Sequence, residues 1–135
     1  MKPAAHGRTA VWALTPNGVQ LARIIADGMP GCTLFLSQKL ETTIPGAVRF
    51  VRLKDEVDRQ FAGFPRHIFI MATGIVVRSI AHGLAHKTTD PAVVVCDEAG
   101  QFAISLVSGH IGGANALARE VARTTGGLPV ITTAT

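Results

Sequence analysis

Tyrosine is absent from this 135-residue chain, and aromatic residues together make up only 5% of it. Proteins that bind single-stranded nucleic acid stack the bases on aromatic side chains. The 13 lysine and arginine residues are also scattered along the chain rather than clustered. We therefore expect no nucleic-acid partner. The formal net charge of +4 either attracts an anionic small molecule or only aids solubility.

Cysteine is scarce, and long apolar runs are lacking. Cys32 and Cys96 each lie within an apolar stretch, which is typical of small buried side chains rather than of a disulfide framework. No spacing of histidine and cysteine is typical of a metal site, so we expect the protein itself to bind no metal. The N-terminal residues lack the apolar core of a signal peptide, and no run is long enough to cross a membrane. These features predict a cytoplasmic protein without a membrane partner.

The balance of residues predicts one folded domain over residues 1–135. Apolar residues make up 47% and charged residues 16% of the chain, which argues against disorder. Segments typical of strands alternate with segments typical of helices. This order predicts an α/β fold, a mostly parallel sheet with helices on both faces, Rossmann-like and doubly wound. The predicted strands are residues 9–14, 32–36, 47–51, 66–71, 92–96, 102–106 and 129–133.

Four segments predict helices. Thr15-Pro16 is a typical helix start, and this first helix ends near Gly28. The other helices cover residues 55–61, follow Thr73-Gly74, and begin in the glycine-rich stretch 108–115. One turn at residues 98–100 departs from the parallel order and predicts a hairpin near residues 97–102.

Ligands of open α/β sheets bind beyond the carboxyl ends of the strands. Three segments are expected to converge there, namely residues 71–74, 97–98 and 105–115. All candidate site residues except Arg78 and Lys87 lie in these segments.

The glycine-rich stretch supplies most of the candidates. Gly109, Gly112 and Gly113 remove side chains where the last helix begins, so that backbone N–H groups at the positive end of the helix dipole can bind an anion. The alternative is that the glycines only permit a tight turn and close packing. Ser108 is most simply the N-cap of the helix, and Asn115 either contacts a ligand or caps locally. The pattern is neither a dinucleotide-binding motif nor a phosphate loop.

Three side chains near this stretch can exchange protons. His110 lies among exposed donors, and a histidine can take or give a proton in catalysis, although a lone histidine is often structural. Asp97 and Glu98 are adjacent carboxylates at a strand end. Either one is a candidate general base, and an ordinary hairpin turn is the alternative.

Four further residues are candidates for substrate binding. Thr73 and Gly74 offer a second pair of donors at a helix start. Arg78 and Lys87 can pair with carboxylates of a substrate, and solvated surface charge is the alternative for both.

Three motifs lie close together in the second half of the chain. They are Thr-Gly-Ile-Val-Val-Arg-Ser-Ile-Ala at residues 73–81, Asp-Glu-x-Gly-x-Phe-Ala-Ile-Ser-Leu at 97–106 and Ser-Gly-His-x-Gly-Gly-Ala-Asn at 108–115. Together they make residues 69–135 closely resemble the cobalamin-biosynthesis G family, CbiG, the cobalt-precorrin 5A hydrolases of the anaerobic vitamin B12 pathway. The resemblance is to the N-terminal region. Family chains usually continue into a C-terminal domain, which these 135 residues do not include.

The resemblance implies a reaction and a substrate. Family members hydrolyse the δ-lactone of the ring-contracted corrinoid and release one ring carbon with its methyl group as acetaldehyde, giving cobalt-precorrin 5B. The substrate carries many carboxylates, which accords with a basic chain, and it brings its own cobalt, so no protein cofactor is implied. In this scheme Glu98 or His110 activates water, the glycine N–H groups stabilise the oxyanion, and the two basic side chains hold peripheral carboxylates.

Two other functions stay open. One is a non-catalytic module that binds a corrinoid intermediate or docks other corrin-pathway enzymes, and that needs a separate C-terminal domain for turnover. The other is an unrelated phosphate- or nucleotide-binding domain. Parallel sheets are usually covered on both faces, so an uncovered face would indicate a homodimer or a further domain.

Overall fold

The structure is a computed structural model and describes residues 8–134. It contains one sheet of seven strands. The strands are β1 Thr9–Ala13, β2 Cys32–Ser37, β3 Val48–Phe50, β4 Arg66–Ile70, β5 Ala92–Cys96, β6 Phe102–Val107 and β7 Leu128–Val130. The α-helices are α1 Pro16–Gly28, α2 Leu53–Gln60, α3 Thr73–Ile80 and α4 Ala114–Thr125, and short 3-10 helices follow α2 at Phe61–Gly63 and α3 at Ala81–Gly83.

The strand order is β3-β2-β1-β4-β5-β6-β7. Strands β1 to β5 run parallel to one another, β6 is antiparallel to β5, and β7 is parallel to β6. The predicted α/β class, with a mostly parallel sheet and one hairpin near residues 97–102, is confirmed.

Side chains that alternate along the strands build one core on each face of the sheet. On the first face, α1 and α4 pack against residues such as Val11 and Ile68. On the second face, α2 and α3 pack around Trp12, whose ring stacks on Phe35 with a centroid separation of 4.3 Å. Helices therefore cover both faces of the central strands, as the doubly wound prediction requires.

The first helix begins and ends where the sequence predicts. Thr15 is the N-cap of α1, and its hydroxyl accepts the N–H of Gly18 at 3.0 Å. Gly126 ends α4 with a left-handed φ of 83°. The last strand is shorter than predicted, because residues 131–134 leave the sheet and Thr133 instead bonds to the side chain of Asn115.

Candidate functional site

The predicted site residues lie at two opposite edges of the sheet. The carboxyl edge, where β1 to β5 end, carries Asp97 and Glu98. Because β6 runs antiparallel to β5, the loop of residues 108–113 lies at the amino edge, where β1 to β5 begin. At about 3.4 Å per residue, β6 separates the two edges by about 17 Å. The prediction that all three segments converge is therefore wrong, because the predicted hairpin reverses the direction of β6.

Asp97 holds the hairpin turn together. Its Oδ1 accepts the N–H of Phe102 at 2.8 Å, and its Oδ2 accepts those of Ala99 and Gln101 at 3.2 and 3.3 Å. Gly100 has a left-handed φ of 71°, and its N–H donates to the carbonyl of Asp97 at 3.0 Å. These bonds favour the turn alternative for this carboxylate.

Glu98 is exposed and is tied to the start of α1. Its Oε2 accepts the hydroxyl of Thr15 at 2.8 Å, and the same hydroxyl oxygen caps α1. The sequence indicates Thr15 as an N-cap, but it gives no signal for the bond to a residue 83 positions later. A cleft of about 290 Å³ lies beside Glu98; it is lined by Met71, Ala72, Thr73, Val95, Asp97, Phe102 and Ile104.

Thr73 and Gly74 begin α3 beside this cleft, and both are exposed. A Cβ at Gly74 would lie 3.2 Å from Nη1 of Arg78, so the glycine leaves room for the guanidinium over the first turn of α3. Three of the predicted binding residues thus form one group at the carboxyl edge, apart from the glycine-rich loop.

The N-terminus of α4 offers fewer free donors than predicted. Its N-cap is Gly113, with φ 89°, and not Ser108. The N–H groups of residues 113–115 donate to the carbonyl oxygens of residues 108–110 at 2.9–3.2 Å. The predicted oxyanion hole is therefore wrong for Gly113, because the loop folds back on itself and uses that N–H internally.

Two glycines are required for close packing inside this loop. A Cβ at Gly112 would collide with the Cβ of Ser108. A Cβ at Gly109 would lie 2.9 Å from Oδ1 of Asn115 and 3.0 Å from a methyl carbon of Thr133. At these distances neither position has room for a side chain, which supports the structural alternative for both glycines.

Ser108 and Asn115 are both bonded within the protein. Ser108 has φ 64°, the one positive φ of a non-glycine residue within 8–134, and its hydroxyl donates to the carbonyl of Asp90 at 3.1 Å. Asn115 is buried; its Oδ1 accepts the hydroxyl of Ser105 at 2.7 Å, and its Nδ2 donates to that of Thr133 at 2.9 Å. These bonds position the loop, and they favour the structural alternative for both residues.

An open cleft of about 450 Å³ lies beside the loop at the amino edge. Its walls combine the apolar residues Leu106, Val107 and Ile111 with Lys87 and His110. Lys87 and His110 are both exposed. Of the predicted residues, these two side chains are the ones that this edge offers to a ligand.

Within residues 8–134, the histidine, cysteine and acidic side chains form no group of three or more that could hold a metal ion. Cys32 and Cys96 are free thiols, and burial raises the pKa of Cys96 to about 12, so this thiol stays protonated at neutral pH. In the same part of the chain, every helix is too short or too polar to cross a bilayer.

The segment that contains the candidate residues of both sheet edges matches one protein family. A family model described as cobalamin synthesis G N-terminal matches residues 55–135. The chain belongs to this family. The resemblance drawn from the three motifs is thereby confirmed.

Two curated relatives extend the cobalamin synthesis G likeness over nearly the whole chain. A cobalt-precorrin-5A hydrolase of Salmonella typhimurium is 49% identical over 128 residues, which cover 93% of this chain and 35% of that protein. A protein of the same name from Priestia megaterium is 40% identical over 138 residues, which cover 96% of this chain and 36% of that protein. The chain thus spans about a third of the length of the curated relatives it matches.

A solved structure shows the same fold. It is described as a putative cobalamin biosynthesis protein G homologue from Sulfolobus solfataricus, and it aligns with a TM-score of 0.69 and 21% identity. The alignment covers 93% of this chain and 36% of that one. At this identity the comparison supports the architecture alone.

The segment that matches the cobalamin synthesis G N-terminal family contains every predicted site residue, from Thr73 to Asn115. It begins within α2 and excludes β1, so it excludes Thr15, the partner of Glu98.

Proposed function

We propose that this chain is the N-terminal domain of a cobalt-precorrin-5A hydrolase, an enzyme of cobalamin biosynthesis. The observation that carries the proposal is the 49% identity with the Salmonella typhimurium protein of that name, over 93% of this chain. In the proposed reaction the δ-lactone of cobalt-precorrin 5A is hydrolysed, and acetaldehyde leaves to give cobalt-precorrin 5B. Because the chain corresponds to about a third of that relative, the remaining two thirds are proposed to complete the active site.

The cleft at the amino edge is the proposed binding surface for the substrate. A corrinoid has a conjugated ring with apolar faces and a rim of carboxylates. Leu106, Val107 and Ile111 give the cleft an apolar wall, and the ammonium group of Lys87 can pair with a carboxylate at its rim. The cobalt belongs to the substrate in this proposal, and the protein contributes no cofactor.

His110 is the proposed general base. Its exposed imidazole would take a proton from water as the water oxygen adds to the lactone carbonyl. The lactone then opens to a carboxylic acid, which ionises in water, and to a hydroxyl, whose oxygen takes the proton back from His110. In the retro-aldol step the neutral imidazole takes the hydroxyl proton, the adjacent carbon–carbon bond breaks, its electrons pass into the conjugated ring, and acetaldehyde leaves.

Asp97 and Glu98 have no part in this step. They lie at the other edge, separated by the length of β6, about 17 Å, so neither can reach a carbonyl bound beside His110. Thr73, Gly74 and Arg78 stay a predicted second binding group at the carboxyl edge. A cytoplasmic location is part of the same proposal, because a reducing compartment suits the two free cysteines.

The test replaces the matching part of the Salmonella typhimurium relative with this chain and measures acetaldehyde released from cobalt-precorrin 5A. We expect release by the chimaera, and a loss of about 100-fold in kcat for His110→Ala. His82→Ala is the matched control, since His82 is also an exposed histidine but does not line the cleft. A folded chimaera without release contradicts the function, whereas an unchanged rate for His110→Ala contradicts only its assigned role.

A further inference from the structure

One face of the last two strands carries an apolar surface, which we call the open face. It consists of Phe102, Ile104 and Leu106 of β6 with Leu128 and Val130 of β7. Alternation places the three β6 residues on the same side, and the register pairs Phe102 with Leu128 and Ile104 with Val130. Phe102 is 43% exposed and Leu128 is 59% exposed. The sheet therefore presents large apolar side chains to solvent here.

The opposite side of the same strands is covered. Ala103 and Ser105 are buried there, and α4 packs across β5, β6 and β7. On the side of the open face, α2 and α3 pack over the more central strands, and Ile104 and Leu106 lie half-buried at the margin of that core. Phe102 and Leu128, farther from it, stay exposed. Sheets of this class are normally covered on both faces, and a continuous exposed apolar surface marks an interaction site.

The free edge of β7 is a poor place for a partner to bind. The strand has three residues, and the middle one, Pro129, has no N–H to donate to an added strand. A partner is therefore expected to cover the face of the sheet rather than to extend it.

The lengths of the relatives indicate what covers this face. The matching family is described as the N-terminal part of cobalamin synthesis G, and the chain covers 35% and 36% of the two curated relatives. In those proteins roughly two thirds of the chain lies outside the matched part, tethered to it. A tethered segment is present at a high effective concentration, an advantage that a second copy of the chain does not have.

We propose that the open face is the docking surface for the part of the chain that follows the N-terminal segment in the longer relatives. The open face also reaches both clefts, since Phe102 and Ile104 line the cleft at the carboxyl edge and Leu106 lines the one at the amino edge. A docked segment would therefore add a wall to both clefts at once. The inference rests on family membership and not on the proposed reaction.

Cysteine labelling tests the proposal. Leu128→Cys is made in this chain, and the aligned position is changed in the full-length Salmonella typhimurium relative. N-ethylmaleimide labelling is followed for each peptide by mass spectrometry, so the native Cys32 and Cys96 do not interfere. Ile24→Cys on α1 is the matched control, because Ile24 is an apolar residue of similar exposure, 51%, on the other face.

We expect the Leu128 position to react at least about tenfold more slowly in the relative than in this chain, since labelling would require the interface to open. The Ile24 position should react at similar rates in both. Equal rates at the Leu128 position in the two proteins would overturn the proposal. Slow labelling in this chain alone, with a dimer in sedimentation velocity, would also overturn it and assign the face to a second copy.

Discussion

The indole N–H of Trp12 donates to Nδ1 of His67 at 3.1 Å, between the adjacent parallel strands β1 and β4. Because Nδ1 accepts this bond, Nε2 carries the proton and donates to the carbonyl of Phe61 at 2.9 Å. Both ring nitrogens are therefore satisfied while the imidazole is neutral. The ring is fully buried and packs on Phe69, which leaves no water to solvate a charge.

The stability of the protein should consequently fall in mild acid. Burial lowers the pKa of His67 to about 4 from the usual 6.5. Below 6.5 the unfolded chain binds a proton that the folded chain does not, so the free energy of unfolding should decrease from pH 6.5 to about 4. The contribution lost is about 3 kcal/mol. Urea denaturation followed by circular dichroism at several pH values measures it.

The comparison variant for this effect is His67→Phe, which removes the titrating group, and His82→Ala removes an exposed one. The difference in free energy between wild type and His67→Phe should shrink as the pH falls. A difference that stays constant from pH 7 to pH 4 would contradict the assignment.

Gly112→Ala should destabilise the protein by about 1–3 kcal/mol, because the added methyl group collides with Ser108. Gly63→Ala is the control, because no neighbouring atom lies within 4 Å of a Cβ at Gly63. This substitution should change the free energy of unfolding by no more than about 0.5 kcal/mol. Thermal and urea unfolding of the two variants measure this difference in stability. Equal stabilities would show that the loop relaxes around the methyl group.

Asn115→Ala should lower the free energy of unfolding by about 1–3 kcal/mol, because it leaves the hydroxyl groups of Ser105 and Thr133 without their partner. Asn17→Ala provides a close match, since Asn17 is also the second residue of a helix but is exposed. Only the first substitution should lower the midpoint of urea unfolding appreciably. If neither substitution lowered this midpoint, the two hydrogen bonds of Asn115 would make no net contribution to stability.

Asp97→Ala should lower the free energy of unfolding by about 1–3 kcal/mol, since three N–H groups of the hairpin lose their acceptor. Glu98→Ala removes a neighbouring, exposed carboxylate with one side-chain bond and should cost less. The same urea titrations compare them. A stable Asp97→Ala variant that has lost turnover in the chimaera would instead point to a chemical role for Asp97.

The order of elements could be predicted from the sequence because it depends on local patterns. The apolar run at residues 92–96, the helix start at Thr15-Pro16 and the turn after Asp97 each carry their own signal. The sequence also predicts the hairpin. The predicted position of residues 108–115 is nevertheless wrong, because the rule that ligands bind at the carboxyl ends of strands holds for parallel strands, and β6 is antiparallel.

The interior of the glycine-rich loop could not be predicted, because two of the side-chain bonds that position it join residues far apart in the chain. The contacts of Ser108 with Asp90 and of Asn115 with Thr133 each span 18 positions. A serine before a helix is a typical N-cap, and nothing local indicates that Gly113 takes that place. Tertiary contacts decided between alternatives that the local pattern left equal.

Trp12 also gives the protein a built-in optical probe. It is the only tryptophan in the chain, and it is completely buried in the centre of the sheet. Its emission therefore comes from a single buried site, away from the protein surface. A coloured ligand bound in either cleft would accept energy from this indole, so quenching of intrinsic fluorescence could report binding without any label.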